Sequence, residues 1–338
     1  MELDKLKNIT IADVAKLAGV SKSTVSQFLN KRYEYMSKLT RERVELAIEE
    51  LDYRPNIVAR SLKQKSTFTV GVIVANILHS FSTHIIRAIE NKFYDNGFHI
   101  IVCNADDEPN KEKEYIEMLM AKQVDGIIIF PTGGNVDLYK RMKKSGFPLV
   151  FMDRTIPDLG IETVLLDNDK AAELAVNHFT ESGYSRIAIV TPSIIRNISP
   201  RIERIQGYKK ALKNHQLPVH SAYVKTADTD GIPAALEELF ELVAPPEAIL
   251  AGNDFVLMEV LKYIKNHNMR IPEDIAIIGI DDVPYASYYN PSITTVSQPI
   301  IEMANLAVQL LMKQMNEKEQ REPEIHRLQP TLIARDSC

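Results

Sequence analysis

The chain has 338 residues, 45% apolar and 25% charged, with a net charge of −5 and two cysteines. That length allows more than one domain with a full core, while Cys103 and Cys338 offer no disulfide framework and fit a reducing compartment. No apolar run reaches membrane-spanning length and the polar start MELDKLKNIT lacks an export signal, so a cytoplasmic protein without a membrane partner is expected.

Residues 10–30, TIADVAKLAGVSKSTVSQFLN, are read as two short helices joined by a tight turn. Thr10 is the expected N-cap, Val14, Leu17 and Ala18 form one apolar face, and Gly19 supplies the left-handed residue that ends the first helix. Val20 turns inward and Ser21 caps a second helix over about 22–29. Lys22, Ser23, Thr24 and Gln27 occupy its early and middle turns, where a recognition helix meets base edges, while Val25, Phe28 and Leu29 pack inward. A helical hairpin with no DNA contact would share this pattern. Thr40 is expected to cap a third helix with Val44, Ala47, Ile48 and Leu51 on one stripe, which closes a three-helix head. The connection NKRYEYMSKLT places Tyr33 and Tyr35 either against phosphate or against that third helix. Pro55 breaks the chain, and NIVARSLKQK follows with Ile57, Val58 and Leu62 lacking any local core.

Charge divides the chain at the same place. Residues 1–65 carry 13 Lys and Arg against 9 Asp and Glu, a balance of +4, whereas residues 66–338 carry 27 against 36, a balance of −9. A basic head on an acidic body suits phosphate attraction at one end, although basic patches also occur without a ligand.

Beyond the head, apolar strand candidates at 70–74, 100–103, 126–130 and 149–152 alternate with helices near 84–96, 111–122 and 137–144. Cys103, in the run HIIVC, is expected to be a buried strand residue. The rhythm resumes with strands near 187–190, 222–225, 248–251 and 275–280 and helices near 169–181, 204–215, 233–242 and 254–266. A long helix near 299–315 and a strand near 331–334 end the chain, which predicts two doubly wound parallel sheets, more than one crossing between lobes, and a ligand cleft.

TIADVAKLAGVSKSTVS, TRERVELAIEELDYRPNIVARSL, VDGIIIF, AGNDFV and IPEDIAIIGIDD followed by PSITTVSQP together resemble the LacI/GalR family of bacterial transcription regulators over essentially the whole chain. Around NKRYEYMSKLTRERV the resemblance is to regulators of 2-keto-3-deoxygluconate and related sugar-acid use. It implies an N-terminal all-α helix-turn-helix head and an α/β two-lobed, periplasmic-binding-protein-like body. The implied boundaries are a head at 1–55, a hinge helix and linker at 56–67, and an effector-binding and dimerisation body at 68–338. Its first lobe covers roughly 68–166 and 297–327, its second roughly 167–296 and 328–338.

In the family the early recognition-helix positions reach the major groove, here Lys22, Ser23 and Gln27, with Ser21 and Thr24 nearer phosphates; Thr10 and Asn30 complete the head residues assigned to DNA. Many members carry Arg where this chain has Gln27, which leaves the matching base open. The hinge helix maps to Asn56 through Lys63, with Asn56 and Ala59 at its DNA face and Leu62 at the position that wedges into the minor groove. The implied partners are a pseudo-palindromic double-stranded operator, a second copy of the chain, and a small sugar-like effector between the lobes. Because no heptad extension follows ARDSC, a dimer is expected rather than a tethered tetramer.

For the effector the resemblance points to Phe81, Asp153, Arg204, Asn253 and Asp281, with Asn76, Arg154 and Gln298 as neighbours. Carboxylates and amides hold hydroxyl pairs, a guanidinium forks onto an anion, and an aromatic ring covers an apolar sugar face. Asp153 and Asp281 would also serve as caps, Phe81 as core and Arg204 in an ion pair. Arg154, Arg196, Arg201 and Arg204, in or near the expected cleft-edge loops, point to an acidic effector such as a sugar acid or sugar phosphate; solvated loop arginines are the alternative.

No catalytic residue, metal site or cofactor is expected. The eight histidines, 79, 84, 99, 178, 215, 220, 267 and 326, lack a metal-binding spacing, and neither a dinucleotide fingerprint nor a phosphate loop occurs. A periplasmic-type sugar receptor is the competing class, but it needs an export signal and has no use for a helix-turn-helix.

Overall fold

In the head of the computed structural model, which describes residues 9–54, 66–316 and 322–338, three helices close on one small core. The chain divides into a unit spanning Met1–Thr67 and another spanning Phe68–Cys338. Helix α1 (Ile11–Ala18) starts where the Thr10 amide and hydroxyl donate to Asp13 Oδ2, at 2.9 and 2.7 Å. Gly19 ends it in the left-handed region, φ 62°. Ser21 Oγ then accepts from Thr24 N at 3.1 Å to open α2 (Lys22–Leu29).

Two expectations need correction here. Helix α3 (Lys38–Glu50) is capped by Ser37, which accepts from Thr40 N at 3.2 Å, so Thr40 lies inside the first turn. Its threonine competed with a serine three residues earlier, and the helix took the earlier cap. Leu17 is 46% exposed: Val14, Ala15 and Ala18 form the inner stripe, and Leu17 lies beside it. The head core joins those residues to Val25, Val44, Ala47 and Tyr53, with Val20, Phe28, Leu29, Ile48 and Leu51 partly buried around them.

The body begins with β1 (Thr69–Val74), α4 (Ser80–Asp95), β2 (His99–Asn104), α5 (Pro109–Ala121), β3 (Gly126–Ile129), α6 (Val136–Lys144), β4 (Leu149–Met152) and β5 (Thr163–Leu166). It continues through α7 (Asn168–Glu181), β6 (Ile187–Pro192), α8 (Ser199–Asn214), β7 (Val224–Ala227), α9 (Ile232–Phe240), β8 (Ala248–Ala251), α10 (Asp254–Asn266) and β9 (Ala276–Ile280). The chain then forms β10 (Thr294–Ser297), α11 (Ile300–Asn316), β11 (Ile325–Leu328) and β12 (Thr331–Ile333).

Two six-stranded sheets result, ordered β11-β5-β4-β3-β1-β2 and β12-β10-β9-β8-β6-β7. Each is sandwiched between helices because its central strands are apolar on both faces. Residues Ile85, Ile89 and Phe93 of α4 and Met303, Ala307 and Leu311 of α11 cover one face of the first sheet, while α5 and α6 cover the other. In the second lobe α9 and α10 lie on one face and α7 and α8 on the other.

The chain passes between the sheets after β5, after β10 and after β11. Among the described residues the pairings are parallel except β10 with β12, so the two doubly wound sheets are parallel-dominated with one antiparallel edge. Strands β5, β10 and β11 had no counterpart in the sequence pattern. They are four residues each, and TTVS and IHRL carry too few apolar side chains to stand out. Helix α8 also begins five residues before its expected start, so Arg201 sits on the helix with Arg204 and not in the loop before it.

Helices α7 and α8 approach closely at Gly207, where a Cβ would lie 2.6 Å from the Asp169 carbonyl oxygen and 2.7 Å from its Cα. Backbone cannot yield as a flexible side chain does. Gly207→Ala is therefore expected to destabilise the body by ~2 kcal/mol, although alanine is the better helix former. Urea unfolding checks this; an unchanged or raised midpoint would contradict it.

Candidate ligand cleft and nucleic-acid interface

Residues that follow strand ends in both sheets line one cleft in the body. Asn76 follows β1, Asp153 and Arg154 follow β4, Asn253 follows β8, Asp281 follows β9 and Gln298 follows β10. Phe81 on α4 and Arg204 on α8 complete this set, and His79, Phe130, Ile198 and Arg201 share the lining. The cleft encloses about 50 Å³ and adjoins a cavity of about 260 Å³, with Phe81, Asp281 and Gln298 on both walls.

Asp153 and Asp281 occupy matching places in the two lobes. Each follows the fourth strand of its sheet with a left-handed backbone, φ 65° and 84°, and each amide donates to a neighbouring-strand carbonyl: Asp153 N to Val164 at 2.9 Å, Asp281 N to Val296 at 3.0 Å. Aspartate tolerates that conformation better than most residues. Neither acid is a helix cap. Burial pushes both carboxyls above the usual range, against the pull of nearby arginines. Gln298 Nε2 donates to Asp281 Oδ1 at 2.6 Å, and Gln298 Oε1 is buried without a partner.

Asn253 caps α10, its Oδ1 accepting from Val256 N at 2.9 Å, which leaves its amide nitrogen for the cleft. Phe81 is both core and wall, packed edge-on against Phe130 at 6.3 Å. Arg204 donates to two neutral acceptors, Asn168 Oδ1 at 2.9 Å and the Gly252 carbonyl at 2.6 Å. Arg154 Nη1 meets Asp107 Oδ1 at 2.6 Å, and its buried Nε has no hydrogen-bond partner. Asn76 Oδ1 closes a local turn onto Leu78 N at 2.9 Å. Together these groups offer acceptors, donors and one aromatic face to a compact polyhydroxylated molecule.

The sequence pattern gave no sign of the His79–Asp254 pair, in which His79 Nδ1 lies 2.6 Å from Asp254 Oδ1 across the lobes. Asp254 stands next to Asn253 in AGNDFV, but nothing in the sequence links it to His79, 175 residues away. Among the described residues no group of three or more His, Cys, Asp or Glu side chains could hold a metal ion.

In the head, Lys22 and Ser23 at the start of α2 are exposed, and Thr24 and Gln27 are half-buried. The Ser21 hydroxyl lies 2.6 Å from that of Ser23 and 2.9 Å from that of Thr24, so three hydroxyls cluster at a helix amino end. Thr10 starts α1, and Asn30, the C-cap of α2, donates its side-chain amide to the Ser26 carbonyl at 2.7 Å. Tyr33 packs edge-on against Phe28, with centroids 5.8 Å apart, and under the Arg41 guanidinium at 4.0 Å; Tyr35 is exposed. Asn56, Ala59 and Leu62 lie outside the described residues.

Residues 10–56 match the family described as bacterial regulatory proteins, lacI family, and residues 176–338 match a periplasmic binding protein-like domain. The probable HTH-type transcriptional regulator EndR of Paenibacillus polymyxa is 48% identical over 97% of this chain and 98% of its own. The chain belongs to the LacI family. The HTH-type transcriptional regulator KdgR of Bacillus subtilis is 34% identical, with 97% of each chain covered. A crystal structure of the lac repressor dimer bound to operator and the anti-inducer ONPF superposes with a TM-score of 0.84 at 25% identity, covering 98% of this chain and 99% of that one. These LacI-family relatives are transcriptional regulators, not enzymes, and this member is likewise a DNA-binding regulator with a two-lobed body. No described helix is long and apolar enough to cross a membrane.

A carboxyl whose pKa rises on folding binds more protons in the native state, so its effect on stability becomes unfavourable as pH rises above the unfolded value. Asp281→Asn removes that penalty and keeps an acceptor for Gln298. The variant is expected to melt ~2 °C or more above the parent near pH 7.5, with the gap closing near pH 4. A gap that widens on acidification would contradict this sign.

Proposed function

We propose that this LacI-family regulator is a cytoplasmic repressor of carbohydrate-utilisation genes, controlled by a sugar-like effector with an acid group bound between the lobes. It acts as a dimer on a pseudo-palindromic operator. The observation that carries the effector reading is the convergence of Asp153, Arg204, Asn253 and Asp281 from strand ends and a helix of both lobes on one cleft. Hydroxyl pairs suit the carboxyls and the free Asn253 amide, and an anion suits the guanidiniums. A receptor without a DNA role would leave the head at residues 10–56 without a purpose.

In this reading Lys22, Ser23 and Gln27 read base edges, the hydroxyls of Ser21 and Thr24 take phosphates, and Leu62 wedges into the minor groove. Effector and operator then change each other's affinity by one common factor. A thermal-shift screen of neutral sugars, sugar acids and sugar phosphates identifies the effector class, because binding to the native state raises the melting temperature. Stabilisation by sugar acids, together with altered retardation of DNA from the protein's own upstream region, is expected. Stabilisation by neutral hexoses alone would reject the acidic effector, and no DNA retardation under any condition would reject the operator. Leu62→Ala is expected to weaken operator binding by about tenfold while leaving effector affinity within twofold. Unaltered operator affinity would remove the wedge.

A further inference from the structure

Arg154 follows β4 in the first lobe and Arg201 lies on α8 in the second, and both line the cleft, while Asp107 stands behind them outside its lining. Asp107 Oδ1 accepts from Arg154 Nη1 at 2.6 Å, and its Oδ2 lies 3.8 Å from Arg201 Nη2. Two guanidiniums, one from each lobe, therefore share one carboxylate. Arg201 otherwise donates to the Ser193 carbonyl at 2.7 Å, and the nearby Glu108 is taken by Arg196 at 3.1 Å. Arg154 is 6% exposed, yet its Nε has no acceptor; Asp153 Oδ2, at 3.8 Å, is beyond hydrogen-bond reach. Burial and the Arg154 charge push Arg201 down to about 10, while Arg154 holds Asp107 below the usual carboxylate range despite its burial.

We propose that Arg154 and Arg201 form an anion subsite matched to one carboxylate of the effector, and that Asp107 is the counter-charge that restricts the subsite to a monoanion. This deepens the acidic-effector reading and rests on it. With Asp107 the two guanidiniums carry one surplus positive charge, which a single carboxylate neutralises, because burial pushes the carboxyl of Asp153, 3.8 Å from Arg154 Nε, toward its neutral form; a phosphate ester brings a second negative charge that these two arginines do not balance. The effector carboxylate would accept from the unpartnered Arg154 Nε and from Arg201 together, so its anion would span the two lobes. Asp107 acts through the arginines and is a positioning residue.

Calorimetry on the full chain tests this with 2-keto-3-deoxygluconate, its 6-phosphate and D-glucose as probes. The parent is expected to prefer the monoanion to the phosphate by about tenfold. Asp107→Asn is expected to bind the monoanion about threefold to tenfold more tightly and to narrow its preference over the phosphate. Arg201→Gln should lose about tenfold or more in affinity for the monoanion, and Arg201→Lys should recover part of it. A purely structural role for Asp107 would lower all affinities together and leave the preference unchanged. If the parent binds the sugar acid but Asp107→Asn keeps the parent's preference, or Arg201→Gln keeps its affinity, this subsite is overturned and the acidic-effector reading stands. If the parent binds D-glucose alone, or none of the three, both fall.

Discussion

Asp254 opens α10 in the second lobe, yet its carboxylate accepts from His79 Nδ1 at 2.6 Å and from the Ser80 amide at 2.7 Å, at the start of α4 in the first. It also accepts from the Phe255 amide at 2.9 Å, within its own helix. The amino end of a helix presents unpaired N–H groups and a partial positive charge, and His79, the N-cap of α4, makes no side-chain capping bond. One carboxylate therefore serves as the missing cap of α4 and adds to the Asn253 cap of its own helix in the other lobe. Burial pushes its pKa up, but the His79 hydrogen bond and charge outweigh burial and hold it below the usual range. The contact is intact at neutral pH and weakens as pH falls through that depressed value. Separating the lobes would leave the start of α4 uncapped, so the arrangement of the cleft and the packing of α4 are linked.

Holding the lobes together in this way buries groups that fold poorly on their own account. Asp153 and Asp281 sit in a left-handed backbone with carboxyls that burial pushes above the usual range, and Gln298 Oε1 and Arg154 Nε lack partners. Each is unfavourable for folding and is offset by the extensive cores on both faces of each sheet. Unsatisfied donors and acceptors gathered in one cleft favour any ligand that completes them.

The parts of the fold that were legible in the sequence are those with strong periodicity. VDGIIIF and AIIGI announce buried parallel strands, and Gly19 with Ser21 announces the turn of the head, because each depends on local chemistry. Strands β5, β10 and β11 were not legible. Their place in a sheet comes from neighbours far along the chain, as when Thr163 pairs with Ile325. The same distinction governs the cleft. Asp153 and Asp281 were singled out by the family resemblance, but that they are structural counterparts with a positive φ follows only from the two sheets. His79 was one histidine among eight until the fold brought Asp254 to it.

Arginine content shows most clearly why a list of charges falls short of a site. Four arginines near the cleft suggest a large positive surplus, yet Arg196 faces Glu108 and Arg204 is held by an amide and a carbonyl that bring no charge. The Arg204 bond to the Gly252 carbonyl also depends on tight packing, since a Cβ at Gly252 would lie 2.8 Å from the Val190 carbonyl oxygen. Arg204 is thus fixed by a side-chain amide and a tightly packed backbone carbonyl, whereas Arg154 is bonded to Asp107 and Arg201, bonded to the Ser193 carbonyl, faces the same acid at 3.8 Å. The charge of Arg204 is opposed not by its neutral hydrogen-bond acceptors but by the nearby carboxyls of Asp153 and Asp281, whereas Asp107 faces Arg154 from one lobe and Arg201 from the other, so the charge balance at the Arg154–Arg201 edge depends on the separation of the lobes.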